Sequence, residues 1–237
     1  VQTGQFGMAV KGAHGAPVFD LDHSLWKQSA QRQSMVAQLG KIEATSGTSQ
    51  DYALCTMLHS NLAAATFSAL QADKRLIVLD VGMAMAATVD FFSQFKSKLL
   101  FVDLYSESFV KEIGEEISHQ ELVSLFRQAL NIRDNCTIDI CLFWDFFNYL
   151  DGTLIKAFIE ALQPYVGEHT RGFGLGALNS RCQLPNSRYG LMAEDTLTQC
   201  PHSDEQLPVY PHSQRDLKRY LDYFEINKSR LMSDGRV

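Results

Sequence analysis

Near-continuous apolar runs dominate the hydrophobic pattern in the middle of the chain. LIVLDV (residues 76–81), KLLFVDLY (98–105) and TIDICLFWD (137–145) lack the polar alternation of a strand with one solvated face. Such runs are typical of strands that are covered on both sides of a parallel sheet. GFGLGAL (172–178) predicts a further strand, with glycines where something packs closely against it.

Helical patterns lie between and after these runs. Residues 85–95 and 152–162 are predicted helices, and residues 106–131 show helical spacing, although FVKEIG within them also fits a short strand. Residues 214–224 form an amphipathic helical pattern, and the sequence after them begins another strand. The alternation of strand and helix predicts an α/β fold, an open and mostly parallel sheet with helices on both faces.

The first part of the chain has a different pattern. Residues 1–72 predict an irregular, glycine-rich lead-in over 1–20 and then a helical extension, with helical patterns around 25–40 and over 52–70. This extension could form a lid over a substrate or cover a sheet edge. Residues 73–237 are expected to form the sheet domain, with 179–213 as a long loop or small insertion on the substrate side.

Charge and cysteine usage exclude some classes of protein. The net charge is −6 and no basic patch is visible, so nucleic acid is not an expected partner. The apolar runs are too short to span a membrane, and the N-terminus does not resemble a signal peptide, so we expect a cytoplasmic protein without membrane association. Five cysteines without a CxxC pair indicate reduced thiols. The spacing of Cys182, Cys200, His202 and His212 matches no standard zinc site, so no metal is expected.

The turn after the first buried run is the first candidate for ligand binding. Asp80 and Gly82 occupy the start of a pattern in which glycines at every second residue let backbone amides approach a ligand, but Ala84 and Ala86 stand at the next two glycine positions. Alanine adds only one methyl group where φ stays negative. The same small-residue turn also suits tight packing of a helix on a sheet, so both interpretations stay open.

The second buried run ends in another acid. Asp103 follows Asp80 by twenty-three residues, close to the roughly twenty at which an acid reaches ribose hydroxyls in nucleotide-binding sheets. The alternative is that Asp103 caps the helix after it.

Taken together, four stretches resemble class I S-adenosylmethionine-dependent methyltransferases, a Rossmann-like family. VLDVGMAMA resembles that family's first motif with two glycines replaced, and LLFVDLY resembles its ribose-binding segment. IDICLFWDFFNYLD with the helix LIKAFIEALQPY is similar to the fourth-strand region. SRYGLMAEDTLTQ and the segment from YPHSQRD onward are similar to the substrate-side loop, the last helix and the start of a terminal β-hairpin that this chain leaves truncated.

The resemblance implies a cofactor site for S-adenosylmethionine. It implies that Asp80 and Gly82 lie near the methionine moiety and that Ala84, which departs from the glycine pattern, belongs to the cofactor-binding residues. It implies Asp103 on the ribose, and Trp144 and Asp145 lining the cofactor cleft. The expected activity is methyl transfer to a small-molecule or protein acceptor; the alternative is a methyltransferase-like binding or scaffold protein without turnover.

Catalytic residues are less defined because methyl transfer depends mainly on alignment of the acceptor. Asp145, Tyr149 and Tyr189 are the candidates for a general base, although Tyr149 and Trp144 could equally fill the core. His169 and His212 are expected in loops, as surface histidines.

A second motif has a different chemistry. VFDLDHSLW (18–26) imitates the DxDxS nucleophile motif of haloacid-dehalogenase-type phosphatases, but no strand pattern precedes it and no later magnesium-binding set follows. A helix cap at Asp22 or Ser24 is the favoured interpretation.

Overall fold

The computed structural model describes residues 3–11, 55–68, 70–111, 117–133, 135–177, 184–203 and 207–231. Nine strands occur there, in a mixed sheet of six strands and an antiparallel sheet of three. The strands are β1 (Thr3–Val10), β2 (Thr56–His59), β3 (Arg75–Asp80), β4 (Lys96–Phe101), β5 (Ile138–Trp144), β6 (Val166–Ala177), β7 (Ser187–Ala193), β8 (Thr196–Pro201) and β9 (Phe224–Leu231).

Four of the helices in the described ranges begin at residues whose side chains cap free amide groups. Ser60, Asp151 and Ser213 each accept hydrogen bonds from first-turn amides, and Ser118 forms a reciprocal capping box with Glu121. The α-helices are α1 (Asn61–Phe67), α2 (Ala86–Ser93), α3 (Ser108–Lys111), α4 (His119–Leu130), α5 (Gly152–Leu162) and α6 (Gln214–Tyr220).

The large sheet has the strand order β4-β3-β5-β6-β1-β9. Strands β4, β3, β5 and β6 are parallel to one another, and β1 is antiparallel to both of its neighbours, β6 and β9. The chain is therefore an α/β protein with a mostly parallel sheet, as its apolar runs predict.

Strand β1 corrects one expectation. Residues 3–10 were expected in an irregular lead-in. Instead β1 lies between β6 and β9 and pairs with both. A Cβ on Gly174 would lie 2.7 Å from Cε2 of Phe6, so the glycines of β6 make room for this strand.

Helices cover both faces of the sheet, because alternate strand residues point to opposite sides. Leu79 and Phe143 belong to the core under α4 and α5, with Phe126 and Phe158. Val78 and the residues that share its face belong to the other core, which α1 and α2 cover. The prediction of helices on both faces is confirmed.

The small sheet, with strand order β2-β8-β7, comes from segments where strands were not expected. Residues 52–70 were expected to form one helix, but the structure has β2 and then α1. Within 179–213, expected as a loop or insertion, β7 and β8 form a hairpin that pairs with β2. These strands are short and carry polar residues at many positions, so the sequence pattern does not indicate them.

The thiol expectation is also corrected. Cys55 and Cys200 form a disulfide. Cys55 directly precedes β2, and Thr56 pairs with Gln199 in β8, so the disulfide joins neighbouring strands of the small sheet. Cys136 and Cys141 are free thiols.

Several expectations concern residues outside the described ranges, including the helical pattern over 25–40, the phosphatase-like motif and Cys182. Among the described residues, no helix is both long and apolar enough to cross a bilayer.

The topology identifies where a ligand would bind in a sheet of this kind. From β3 the chain passes to β4 on one side and then, through α3 and α4, returns to β5 on the other side of β3. The order of strands therefore reverses between β3 and β5, and ligands of open α/β sheets bind beyond the carboxyl ends of the strands at such a switch point.

Candidate functional site

Asp80 and Trp144 meet at the switch point. Oδ1 of Asp80 accepts hydrogen bonds from the Gly82 amide at 2.9 Å and from the indole Nε1 of Trp144 at 2.7 Å. The side chain of Asp80 is 1% exposed, and its Oδ2 has no hydrogen-bond partner among the described residues. Burial raises the pKa of Asp80 to about 7, and the two hydrogen bonds act against this rise.

Trp144 has an unusual backbone conformation. Its φ is 49°, in the left-handed region that bulky residues rarely adopt. The pairing of β5 with β6 shifts register between Leu142 and Trp144, so the strain lies at an irregularity of the sheet. The indole ring stacks on Tyr189 of β7 with ring centroids 5.9 Å apart. Strained residues of this kind concentrate at functional sites.

Asp145, the next residue, is surrounded by three tyrosines. Its Oδ1 accepts from the hydroxyl of Tyr105 at 2.7 Å, and its Oδ2 accepts from Tyr149 at 3.0 Å and Tyr189 at 3.2 Å. Burial raises the pKa of Asp145 to about 6, and the tyrosine hydrogen bonds lower it from a still higher value. Burial and the nearby carboxylate raise the pKa of all three tyrosines.

The structure thus brings together Asp145, Tyr149 and Tyr189, the three residues expected as general bases. Their contacts differ from those expected of a base that faces a ligand. Both oxygens of Asp145 are engaged, and neither Asp145 nor Tyr149 lines the neighbouring cleft. Tyr149 is 5% exposed and packs edge to face with Tyr105. Asp145 with Tyr105, Tyr149 and Tyr189 forms the Asp145 cluster, which links the ends of β4 and β5 to the small sheet. Its role is therefore structural.

A cleft of about 60 Å³ opens beside these residues. This volume has room for a few water molecules. One group of lining residues follows the strands of the large sheet, and another belongs to the segments around β7 and β8. The lining residues are Gly82, Met83, Asp103, Tyr105, Ser106, Lys111, Trp144, Asn186, Ser187, Arg188, Tyr189, His202 and Leu207.

Asp103 lines this cleft and has an unsatisfied carboxylate oxygen. It precedes a 3-10 helix (Leu104–Ser106) but makes no side-chain capping bond to it, so the capping alternative does not account for this acid. Its Oδ1 is buried without a partner among the described residues. An oxygen in that state favours binding of a hydroxyl or amine donor, because a buried unpaired acceptor costs roughly 1–3 kcal/mol.

The two alanines of the glycine pattern lie outside the cleft. Ala84 and Ala86 are exposed, and neither lines the cleft. Positive φ at non-glycine residues occurs in the described chain only at Asn131, Asn135 and Trp144, so both alanines have unstrained backbones. Gly82 is the residue of this turn that needs to be small: a Cβ there would lie 3.3 Å from both Oδ1 of Asp80 and Cδ1 of Trp144.

The two histidines expected in loops lie away from the cleft. His169 belongs to β6 and not to a loop, and His212 binds the Leu150 carbonyl through Nε2 at 2.7 Å. The sequence interpretation missed Tyr105 and Arg188, which line the cleft. Tyr105 stands two residues after Asp103 in the same segment, LLFVDLY, and this proximity was an available signal.

No group of three or more potential metal ligands is present in the part of the chain that the structure describes. Comparison of the chain with protein-family models, curated proteins and solved structures finds no match.

Proposed function

We propose that the protein binds S-adenosylmethionine at the switch point and transfers its methyl group to an acceptor held in the same cleft. The observation that carries the proposal is the buried, unpartnered Oδ1 of Asp103. Asp103 lines a cleft together with Gly82 and Trp144, at the carboxyl ends of three neighbouring strands. A ribose offers two hydroxyl donors to such a carboxylate.

The residues of this chain supply positioning. Asp103 would hold the ribose hydroxyls, and Gly82, which lines the cleft without a side chain, leaves room for the Asp80 and Trp144 side chains beside it. The bound cofactor would supply an activated methyl group. Trp144, fixed by its hydrogen bond to Asp80 and its stacking on Tyr189, forms an apolar wall that excludes water from the reacting atoms.

Ligand entry requires the cleft to widen beyond its 60 Å³. Met83 is half-buried on the cleft wall. Its unbranched side chain can change rotamer at little cost, so it is the residue we expect to move. The stacked Trp144 and Tyr189 are held from both sides and are expected to stay.

A second candidate is a protein that binds the same ligand without turnover. It is favoured by the Asp145 cluster, in which three tyrosine hydroxyls occupy both oxygens of the expected base. The two candidates differ in turnover, and the first requires an acceptor that reacts without losing a proton to a base, such as a carboxylate or an unprotonated amine.

Calorimetric titration with S-adenosylmethionine and S-adenosylhomocysteine tests the shared binding step. We expect micromolar affinity for both ligands in the wild type. Incubation of the saturated protein with methyl-labelled S-adenosylmethionine and an acceptor library then separates the candidates, since label transfer requires turnover. Absence of binding heat with both ligands would contradict both candidates.

A further inference from the structure

Arg188 brings a second unsatisfied polar atom into the cleft. It lies in β7, next to Tyr189 in sequence, and its Nε is buried with no hydrogen-bond partner among the described residues. A buried N–H of a charged group normally has an acceptor. Without one, the loss of its hydration is not compensated and lowers the stability of the fold.

The acid in the same cleft does not supply that acceptor. Oδ1 of Asp103 and Nε of Arg188 both lack a partner among the described residues, so the two groups do not satisfy each other. Two unpaired groups of opposite chemistry in one cleft favour bound groups of two kinds, namely hydrogen-bond donors at Asp103 and acceptors at Arg188.

The chemistry of the arginine itself favours an anion. Arg188 is a cation that lines the cleft, and its Nε is buried without an acceptor among the described residues. Guanidinium groups bind carboxylates in a planar, two-bond geometry that neutral acceptors cannot match.

We infer that the methyl acceptor carries a carboxylate group and that Arg188 binds it. This inference rests on the proposed function, in which Asp103 is occupied by the cofactor's ribose. Arg188 lies in β7 of the small sheet, whereas Gly82 and Asp103 follow β3 and β4 of the large sheet. With Asp103 assigned to the cofactor, Arg188 is the residue of this cleft that is left for the acceptor.

The test uses propionate as the probe and propionamide as its neutral counterpart. Trp144 reports binding by its fluorescence, and a Trp26→Phe background removes the other tryptophan of the chain. We expect propionate to produce a saturable change in the millimolar range, with propionamide at least tenfold weaker. In Arg188→Gln the propionate response should weaken at least tenfold, and Arg188→Lys should retain part of it. Arg75→Gln removes an exposed charge at the start of β3 and should have no effect.

Equal responses to propionate and propionamide, or a propionate response that survives in Arg188→Gln, would overturn the inference. So would a different source of the carboxylate, namely the methionine part of the cofactor. Titration with S-adenosylhomocysteine and with 5′-methylthioadenosine, which lacks that carboxylate, distinguishes the two sources. We expect Arg188→Gln to bind both nucleosides as the wild type does. A tenfold loss confined to S-adenosylhomocysteine would assign Arg188 to the cofactor and contradict the acceptor role.

The propionate titration is made with and without saturating S-adenosylhomocysteine. Failure of the nucleoside to bind would contradict the proposed function, while the titration of the protein alone would still decide whether Arg188 binds a carboxylate. The two failures are therefore distinguishable.

Discussion

The indole of Trp144 donates a hydrogen bond of 2.7 Å to Asp80, sixty-four residues earlier in the chain. This bond connects the carboxyl ends of β3 and β5 at the point where the strand order reverses. It also holds a buried carboxylate whose second oxygen has no partner in the described structure. Two properties can therefore be measured: the protonation of Asp80, and the change in stability when residues around it are substituted.

Asp80 should make stability depend on pH. Its pKa is about 7 in the folded protein, against an ordinary value of 3.8 in an unfolded chain, so the folded state holds this proton more tightly. The contribution of Asp80 to the free energy of unfolding is therefore greatest below pH 4 and is lost as pH rises toward 7. The difference in unfolding free energy between wild type and Asp80→Asn should fall by a few kcal/mol between about pH 4.5 and 8, measured by denaturant titration.

Trp144→Phe provides the matched comparison. It removes one donor to the ionised form of Asp80, so the pKa of Asp80 should rise further and the pH range of this loss should move upward. A difference between wild type and Asp80→Asn that does not change with pH would contradict this description of Asp80.

Gly190 should be intolerant of a methyl group. A Cβ at this position of β7 would lie 3.0 Å from Cγ2 of Thr198, 3.2 Å from Cβ of Met85 and 3.3 Å from Cβ of Ala87. Two of these atoms are attached directly to the backbone and cannot rotate away. Gly190→Ala should therefore lower the free energy of unfolding by about 1–3 kcal/mol. Gly7→Ala is the control, since its Cβ would make only ordinary contacts at 3.5 Å and beyond; equal losses in both variants would contradict the argument.

The buried strands could be predicted from the sequence because both of their faces are covered, which requires apolar residues at every position. Strand β1 could not, because it gains its place only by pairing with β6 about 170 residues later, as Phe6 does with Gly174. Its sequence, TGQFGMAV, has two glycines and lacks the near-continuous apolar run of the buried strands. The hairpin of β7 and β8 could not be predicted either, because its strands are short and carry polar residues at many positions.

Some residues of the candidate site could likewise be predicted from the sequence, and others could not. Asp80, Asp103 and Trp144 could be predicted because each stands at the carboxyl end of a recognisable strand. The roles of Tyr105 and Arg188 could not, since they depend on contacts across the fold: Tyr105 reaches Asp145, forty residues away, and Arg188 reaches the cleft through a hairpin that the pattern did not indicate.

Restoring the glycine pattern should not improve ligand binding. Ala84 and Ala86 are exposed, unstrained and outside the cleft lining. The double variant Ala84→Gly/Ala86→Gly should therefore bind S-adenosylhomocysteine within twofold of the wild type by calorimetry. Since Ala86 begins α2, the glycine there should cost up to about 1 kcal/mol of stability. A tenfold gain in affinity would show instead that the alanines limit binding.

Reduction of the Cys55–Cys200 disulfide should destabilise the fold. The two cysteines are 145 residues apart, and a loop of that length restricts the unfolded chain by roughly 4–5 kcal/mol on chain-entropy grounds. Dithiothreitol should lower the melting temperature of the wild type and leave that of Cys55→Ser/Cys200→Ser unchanged. Peptide mapping without reduction should recover the linked pair; its absence from oxidised protein would contradict the pairing.

The central claim is that Asp103 binds the ribose hydroxyls of a nucleoside ligand. The most direct measurement is a calorimetric cycle that combines wild type and Asp103→Ala with S-adenosylhomocysteine and its 2′,3′-dideoxy analogue, with Asp90→Ala as a control for loss of an exposed acid. We predict that Asp103→Ala weakens S-adenosylhomocysteine at least tenfold and leaves the affinity for the analogue unchanged. Equal affinities of wild type and Asp103→Ala for S-adenosylhomocysteine, or no binding to the wild type, would contradict the claim.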